Sequence, residues 1–155
     1  LDIAIAPETP LQDDVRRLVA ELNAFLKPQT PIAYQFQLTV EQMADPSLTL
    51  FVARDESGEA VGMGGLKDHG EGLGEVKRMF TSPQVRGQRV GAKLLQRIEA
   101  LAHDKGLSRI VLETGEAPAF ADAYRVYERA GFNRCGAVLD YPDSAFSRFY
   151  EKKIS

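Results

Sequence analysis

Polar and apolar positions change period several times along this chain, and each change marks an element. Alternation in Asp2-Ile3-Ala4-Ile5-Ala6 predicts a first strand stopped by Pro7. Pro10 suits the opening of a helix over Leu11–Leu26, where Leu11, Val15, Leu18, Val19, Leu22 and Leu26 form one apolar stripe. Lys27–Leu38, carrying Pro28, Pro31, Tyr34 and Phe36, reads as a loop, and Thr39 caps a short helix through Ala44. The strand-like runs Leu48–Arg54 and Ala60–Leu66 are joined by Asp55-Glu56-Ser57-Gly58-Glu59, the turn chemistry of a hairpin. A third run, Gly74–Thr81, follows the glycine-rich turn Asp68–Gly72. From Gln88 to Lys105 the period turns helical, with Val90, Leu94, Leu95, Ile98, Leu101 and Ala102 on one face and Gly106 placed to end it. Arg109–Thr114 returns to strand, Pro118 opens a helix over Ala119–Ala130 that Gly131 ends, and Cys135–Leu139 and Phe146–Lys153 are closing strands. The order β-α-α-β-β-β-α-β-α-β-β predicts a mixed α/β sheet covered by helices.

A length of 155 residues fits one domain over 1–155 with a single core. Net charge is −3 without a basic block, which removes the electrostatic footprint of nucleic-acid binding. The sole cysteine, Cys135, cannot close an internal disulfide, and two histidines without cysteine company make no metal site. A reducing, cytoplasmic setting is expected. No apolar run approaches the roughly 20 residues that cross a bilayer, and the N-terminus lacks a signal-peptide pattern, so no membrane partner is expected. The sequence opens at Leu1, which leaves room for native residues before it.

The segment Val85-Arg86-Gly87-Gln88-Arg89-Val90-Gly91-Ala92-Lys93-Leu94-Leu95 lies between a strand and a strongly amphipathic helix. Unpaired N–H groups at such a helix start attract anions, and Gly87 and Gly91 allow a phosphate to approach the backbone. From spacing alone, an ordinary turn before a packed helix explains these glycines equally well. Two familiar nucleotide signatures are absent: no Gly-Lys-Ser/Thr ends a Walker loop, and no Gly-x-Gly-x-x-Gly follows the first strand.

Arg86-x-x-Arg89-x-Gly91 followed by Ala92-Lys93-Leu94-Leu95 resembles the acetyl-CoA-binding motif Gln/Arg-x-x-Gly-x-Gly/Ala of the GNAT N-acetyltransferase superfamily, with Arg89 in the place of a glycine. An alternative register from Gln84 keeps Gly87 but loses the final small residue. Downstream, Ala123-Tyr124-Arg125-Val126-Tyr127-Glu128-Arg129-Ala130-Gly131-Phe132 resembles the family's late helix, Ala-x-x-x-Tyr-Glu-x-x-Gly-Phe. Phe120 stands where the family often has Asn.

The resemblance implies a mixed, mostly antiparallel sheet of roughly six to seven strands with a central splay, flanked by about four helices. It implies acetyl-CoA as acyl donor, without a metal. Arg86, Gly87, Gln88, Arg89, Val90, Gly91 and Ala92 would hold the pyrophosphate; Met79, Phe80, Thr81, Ala123 and Tyr127 would line the pantetheine arm. Backbone groups near Met79 and Thr81 would stabilise the oxyanion of the tetrahedral intermediate. A lysine-like amine with pKa near 10.4 is neutral in no more than roughly one molecule in a thousand at pH 7, so a base helps, and Glu75 occupies a position where some members carry one. Tyr127 would protonate the leaving thiolate. A solvent-facing strand residue explains Glu75 nearly as well, and burial in an apolar stripe of Phe120, Ala123, Tyr127 and Ala130 would also explain Tyr127, though the Tyr-Glu-x-x-Gly-Phe context favours the functional role.

Tyr34, Gln35 and Phe36, with Asp140, Tyr141, Pro142, Asp143 and Ser144, would form with Glu75 and Glu113 an acidic, aromatic rim suited to a cationic small-molecule or peptide amine. Of these, Tyr34, Glu75, Glu113, Asp140 and Tyr141 are the candidate substrate contacts. His69 and His103 read as ordinary turn and helix residues. Cys135, with no adjacent histidine to activate it, is poorly placed for a covalent intermediate, which favours direct attack in a ternary complex. A non-catalytic acyl-CoA sensor, or a transferase using a longer acyl group or an oxygen acceptor, shares the same motifs. The resemblance also allows a homodimer.

Overall fold

The computed structural model describes residues 2–154. Among them, seven strands form one sheet and four α-helices flank it. In chain order these are β1 (Ala4–Pro7), α1 (Asp13–Leu26), α2 (Val40–Met43), β2 (Leu48–Arg54), β3 (Ala60–Asp68), β4 (Leu73–Thr81), α3 (Val90–Asp104), β5 (Arg109–Gly115), α4 (Ala121–Arg129), β6 (Asn133–Cys135) and β7 (Ser147–Lys153). The strand order is β1-β2-β3-β4-β5-β7-β6, antiparallel everywhere except between β4 and β5. This is the mixed, mostly antiparallel sheet that the resemblance implies.

The helical stripes decide which face each helix covers. Val15, Leu18, Val19 and Leu22 of α1, with Val40 and Met43 of α2, pack on Leu50, Val52, Met63 and Phe80. Val90, Leu94, Leu95, Ile98 and Ala102 of α3 cover the opposite face, on Val61, Leu66, Val76, Ile110 and Leu112, together with Tyr124 and Tyr127 of α4. Thr39 closes a capping box with Gln42 at the start of α2, satisfying two end amides reciprocally. Arg54 fastens the first turn of α1 to β2: its Nη1 donates to Asp14 at 2.6 Å, and its Nε and Nη2 grip Glu8 at 2.9 and 2.7 Å. These bonds hold the Glu8 and Asp14 carboxyls below their ordinary pKa, since the guanidinium favours the charged form.

Two expected segments differ. The first helix begins at Asp13, so Leu11 falls outside its stripe and is 48% exposed. The strand expected over Cys135–Leu139 instead spans Asn133–Cys135; beyond Gly136 the chain turns away, and Leu139 adopts φ 52. Only Val138 of that stretch turns inward, against Val111 and Phe149, which is why its apolar pattern imitates a strand.

Leu94 has no exposed surface and sits at the centre of the α3 face. Leu94→Ala is expected to cost about 3 kcal/mol of stability, read from the midpoint of urea unfolding.

Candidate active site

Two backbone irregularities of β4 open the site. Its parallel pairing with β5 covers only Leu73↔Arg109, Gly74↔Ile110 and Glu75↔Val111. Beyond Glu75 the strands part, leaving backbone groups of β4 unpaired on that side. On the other side Met63 faces Phe80 and Gly65 faces Lys77, so Arg78 and Met79 together oppose Gly64, which makes a bulge. Arg78 takes φ 57 there, and Gly64 leaves room for the Met79 side chain, whose sulfur would lie 2.3 Å from any Cβ at that glycine. A cleft of about 890 Å³ runs through the opening, from Leu22, Phe25 and Tyr34 beside α1 to Arg86, Gly91 and Arg129 at the far side.

At the far end, the turn before α3 is built for an anion. Among the described residues, the backbone amides of Gly87, Arg89, Val90, Gly91 and Ala92 have no acceptor, and the first helical bond is from Lys93 to Arg89. Successive free amides at the positive end of a fifteen-residue helix form an anion cradle. The side chains of Arg86, Arg89 and Arg129 line the cleft beside it. Gly87 and Arg89 both take left-handed conformations, φ 88 and φ 62. The second explains why a glycine suits the position of Arg89: the backbone is left-handed whichever residue stands there. A Cβ on Gly91 would meet only ordinary contacts, the nearest 3.6 Å away on Val126, so packing inside the protein does not demand this glycine. The cradle fits a pyrophosphate by donor count, charge and open approach. Gln88 does not border the cleft; its amide oxygen is buried without a partner.

At the last β4–β5 pair, where the strands begin to part, lies a carboxylate network. Glu75 is only 3% exposed, which sets aside the solvent-facing alternative. Tyr141 OH donates to Glu75 Oε2 at 2.5 Å, His69 Nε2 bonds Oε1 at 2.8 Å, and Lys77 Nζ lies 3.4 Å from Oε2 while donating to Tyr141 OH at 2.6 Å. Burial beside Glu75 raises the Tyr141 phenol pKa, keeping it a donor. His69 is thus part of the site and not the ordinary turn residue its glycine-rich surroundings suggest. Spacing gave no sign of this, because the β3–β4 hairpin brings it back to Glu75. Nothing in the spacing singles out Lys77 or Ser147 either, which meet Tyr141 and Glu113 only in the folded sheet.

Glu113 borders the cleft and accepts from Ser147 Oγ at 2.8 Å; burial raises its pKa above the ordinary carboxyl value. Tyr127 is 7% exposed, reaches the cleft from α4, and is pushed well above the ordinary phenol pKa by burial and by the charge of Glu113. Met79, Phe80 and Thr81 on one wall and Ala123 on the other also border it, as does Tyr34. Tyr141 reaches the cleft through Glu75, whereas Asp140 is exposed in the β6–β7 connection and is not brought to it. Among the described residues no cluster of three or more His, Cys, Asp and Glu could hold a metal ion, and no helix is long and apolar enough to cross a membrane.

This geometry can be set beside known proteins. Residues 13–132 match the acetyltransferase (GNAT) family. The IAA acetyltransferase of Azospirillum brasilense is 40% identical over 154 residues, covering 99% of both chains. The uncharacterized N-acetyltransferase YsnE of Bacillus subtilis (strain 168) is 33% identical over 142 residues, covering 90% of this chain and 93% of its own. A structure from Klebsiella pneumoniae subsp. pneumoniae MGH 78578, provisionally an acyl-CoA N-acyltransferase, superposes with TM-score 0.81 at 31% identity over 97% of each chain. An aminoglycoside 6'-N-acetyltransferase complexed with coenzyme A shares the fold at TM-score 0.72 and 17% identity, covering 97% of this chain and 96% of its own. The chain belongs to the acetyltransferase (GNAT) family and is an enzyme of the acyl-CoA-dependent N-acetyltransferase class.

Arg89→Gly removes the cost of a left-handed non-glycine residue, about 1–2 kcal/mol, and gives back part of it as chain entropy. A net gain of about 1 kcal/mol in unfolding free energy is expected; a loss would show that Arg89 holds the turn by its side chain. Because the native fold raises the Glu113 pKa, ionising this carboxyl disfavours the folded state, and its contribution declines as pH rises through the folded value. The melting temperature of Glu113→Gln should therefore rise relative to the parent protein as pH climbs above the ordinary carboxyl range, about 4. A pH-independent difference would contradict this.

Proposed function

We propose that residues 1–155 form one acyl-CoA N-acyltransferase domain that moves the acetyl group of acetyl-CoA to an amine by direct attack within a ternary complex. The carrying observation is that one cleft joins the free amides of Gly87 and Arg89–Ala92 to the Glu75 network through the parted strands β4 and β5. Arg86, Arg89 and the amide cradle would hold the pyrophosphate, and the free edge of β4 near Met79 and Thr81 would bond the pantetheine and the thioester carbonyl.

On the other side, Glu75 and Glu113 attract a protonated amine into the end of the cleft that Tyr34 borders. Glu75 takes the ammonium proton first, which frees the nitrogen lone pair to attack the thioester carbon. Once that proton has passed on, Glu75 takes the second as the tetrahedral intermediate collapses and the C–S bond breaks. His69, bonded to the same carboxylate and 24% exposed, offers the route to solvent. Tyr127 is protonated at working pH and can donate a hydrogen bond to the departing sulfur, although the burial that raises its pKa works against full transfer of the proton. No covalent enzyme intermediate is required, in keeping with the position of Cys135 on β6, its thiol pKa raised by burial.

Thiol release from acetyl-CoA across a panel of amines tests the reading; tight cofactor binding without amine-dependent release would favour a sensor instead. Tyr127→Phe should lower kcat by at least about tenfold with acetyl-CoA affinity nearly unchanged. Glu75→Gln should lower kcat by about a hundredfold and remove the acidic limb of the pH–rate profile. A retained limb would return Glu75 to a structural role.

A further inference from the structure

Arg78 takes no part in the reaction proposed above, yet it is the most unusual charge in the cleft. It lies at the bulge of β4 and is 9% exposed, hence nine-tenths buried. The bulge inserts one residue into the alternation of the strand, so Arg78 reaches α1, as its neighbour Lys77 reaches Tyr141 on that same face. Its Nη2 donates to Asn23 Oδ1, and its Nε is buried without any acceptor. Among the described residues no carboxylate forms an ion pair with it, whereas Glu75 on the same strand is surrounded by His69, Lys77 and Tyr141. Burial draws the guanidinium pKa down to about 10, which leaves it charged at neutral pH.

A buried cation whose donors are only partly used is costly unless an anion completes it. The planar fork of arginine matches a carboxylate, and Arg78 borders the same cleft as Glu75 and Glu113. The two carboxylates suit a cationic amine, and the unpaired guanidinium suits one negative charge. A second negative charge, as on a phosphate group, would meet Glu75 and Glu113, and Lys77, the adjacent cation on β4, is already engaged by Glu75 and Tyr141.

We infer that the acceptor is a small amino carboxylic acid, whose carboxylate docks on the unpaired guanidinium of Arg78 while its amine lies toward Glu75. This rests on the amine-acceptor reading above for the amine, and on Arg78 alone for the carboxylate.

The test separates the two. Free amino acids, the corresponding amino-acid amides and the corresponding aminophosphonates are compared on the coenzyme A-bound protein by thermal shift, and with acetyl-CoA by thiol release. Arg78→Gln and Arg78→Lys are carried in parallel. At least one amino acid should stabilise the parent protein and be acetylated at least about tenfold more efficiently than its amide. Arg78→Gln should abolish that preference through KM for the acid, with activity on the amide and affinity for acetyl-CoA unchanged. Arg78→Lys should restore part of the preference. Equal use of acids and amides, an equal loss on both in Arg78→Gln, weakened acetyl-CoA binding, or a preference for aminophosphonates would each overturn the inference. Arg78-dependent carboxylate binding without thiol release to any amine would uphold the carboxylate site and sink the transfer chemistry. Transfer to amines without a carboxylate preference would do the reverse.

Discussion

The parting of β4 from β5 after the Glu75↔Val111 pair is the constraint on which the rest of this molecule depends. A continuous sheet would seal the α1 face from the α3 face, and the two halves of the site would lie on opposite sides of a hydrogen-bonded wall. The interruption falls within the sheet, where unpaired backbone normally costs free energy. It persists because β3 and β7 hold the two strands from outside, β7 along the whole of β5. The cleft is the space this arrangement cannot close.

Electrostatic character divides along that cleft. One end carries free amides, the positive end of α3, and Arg86, Arg89 and Arg129; the other carries Glu75 and Glu113. A phosphate-bearing donor and a cationic amine are thereby directed to opposite ends and meet where the strands part. Arg78 stands apart from this division: it is a cation on the acidic side, turned there by the bulge. Backbone irregularities thus do chemical sorting that regular strands could not, since strict alternation would send Lys77 and Arg78 to opposite faces.

Periodicity alone determined the order of the strands and helices, because each buries one apolar stripe and the 3.6- and 2-residue periods are set by backbone geometry. It also marked the turn before α3, whose glycines and adjacent stripe are local features. Errors came where a local pattern was ambiguous: Val138 lent Cys135–Leu139 a strand-like look, and Leu11 extended a stripe beyond the first residue of its helix. The motif register from Arg86 follows from the family resemblance, but the left-handed backbone at Arg89 that accounts for a glycine preference appears only in three dimensions.

Tertiary structure decided the chemistry around Glu75 and Arg78. His69 meets Glu75 through a hairpin, Tyr141 from 66 residues away, and Arg78 meets Asn23 across 55. No pattern along the chain encodes such pairs, because they arise from how separate elements pack. The sequence specified which stripes must be buried and where a helix exposes its amides. Only the packed sheet determined where its strands part, and with that which charges are left without partners.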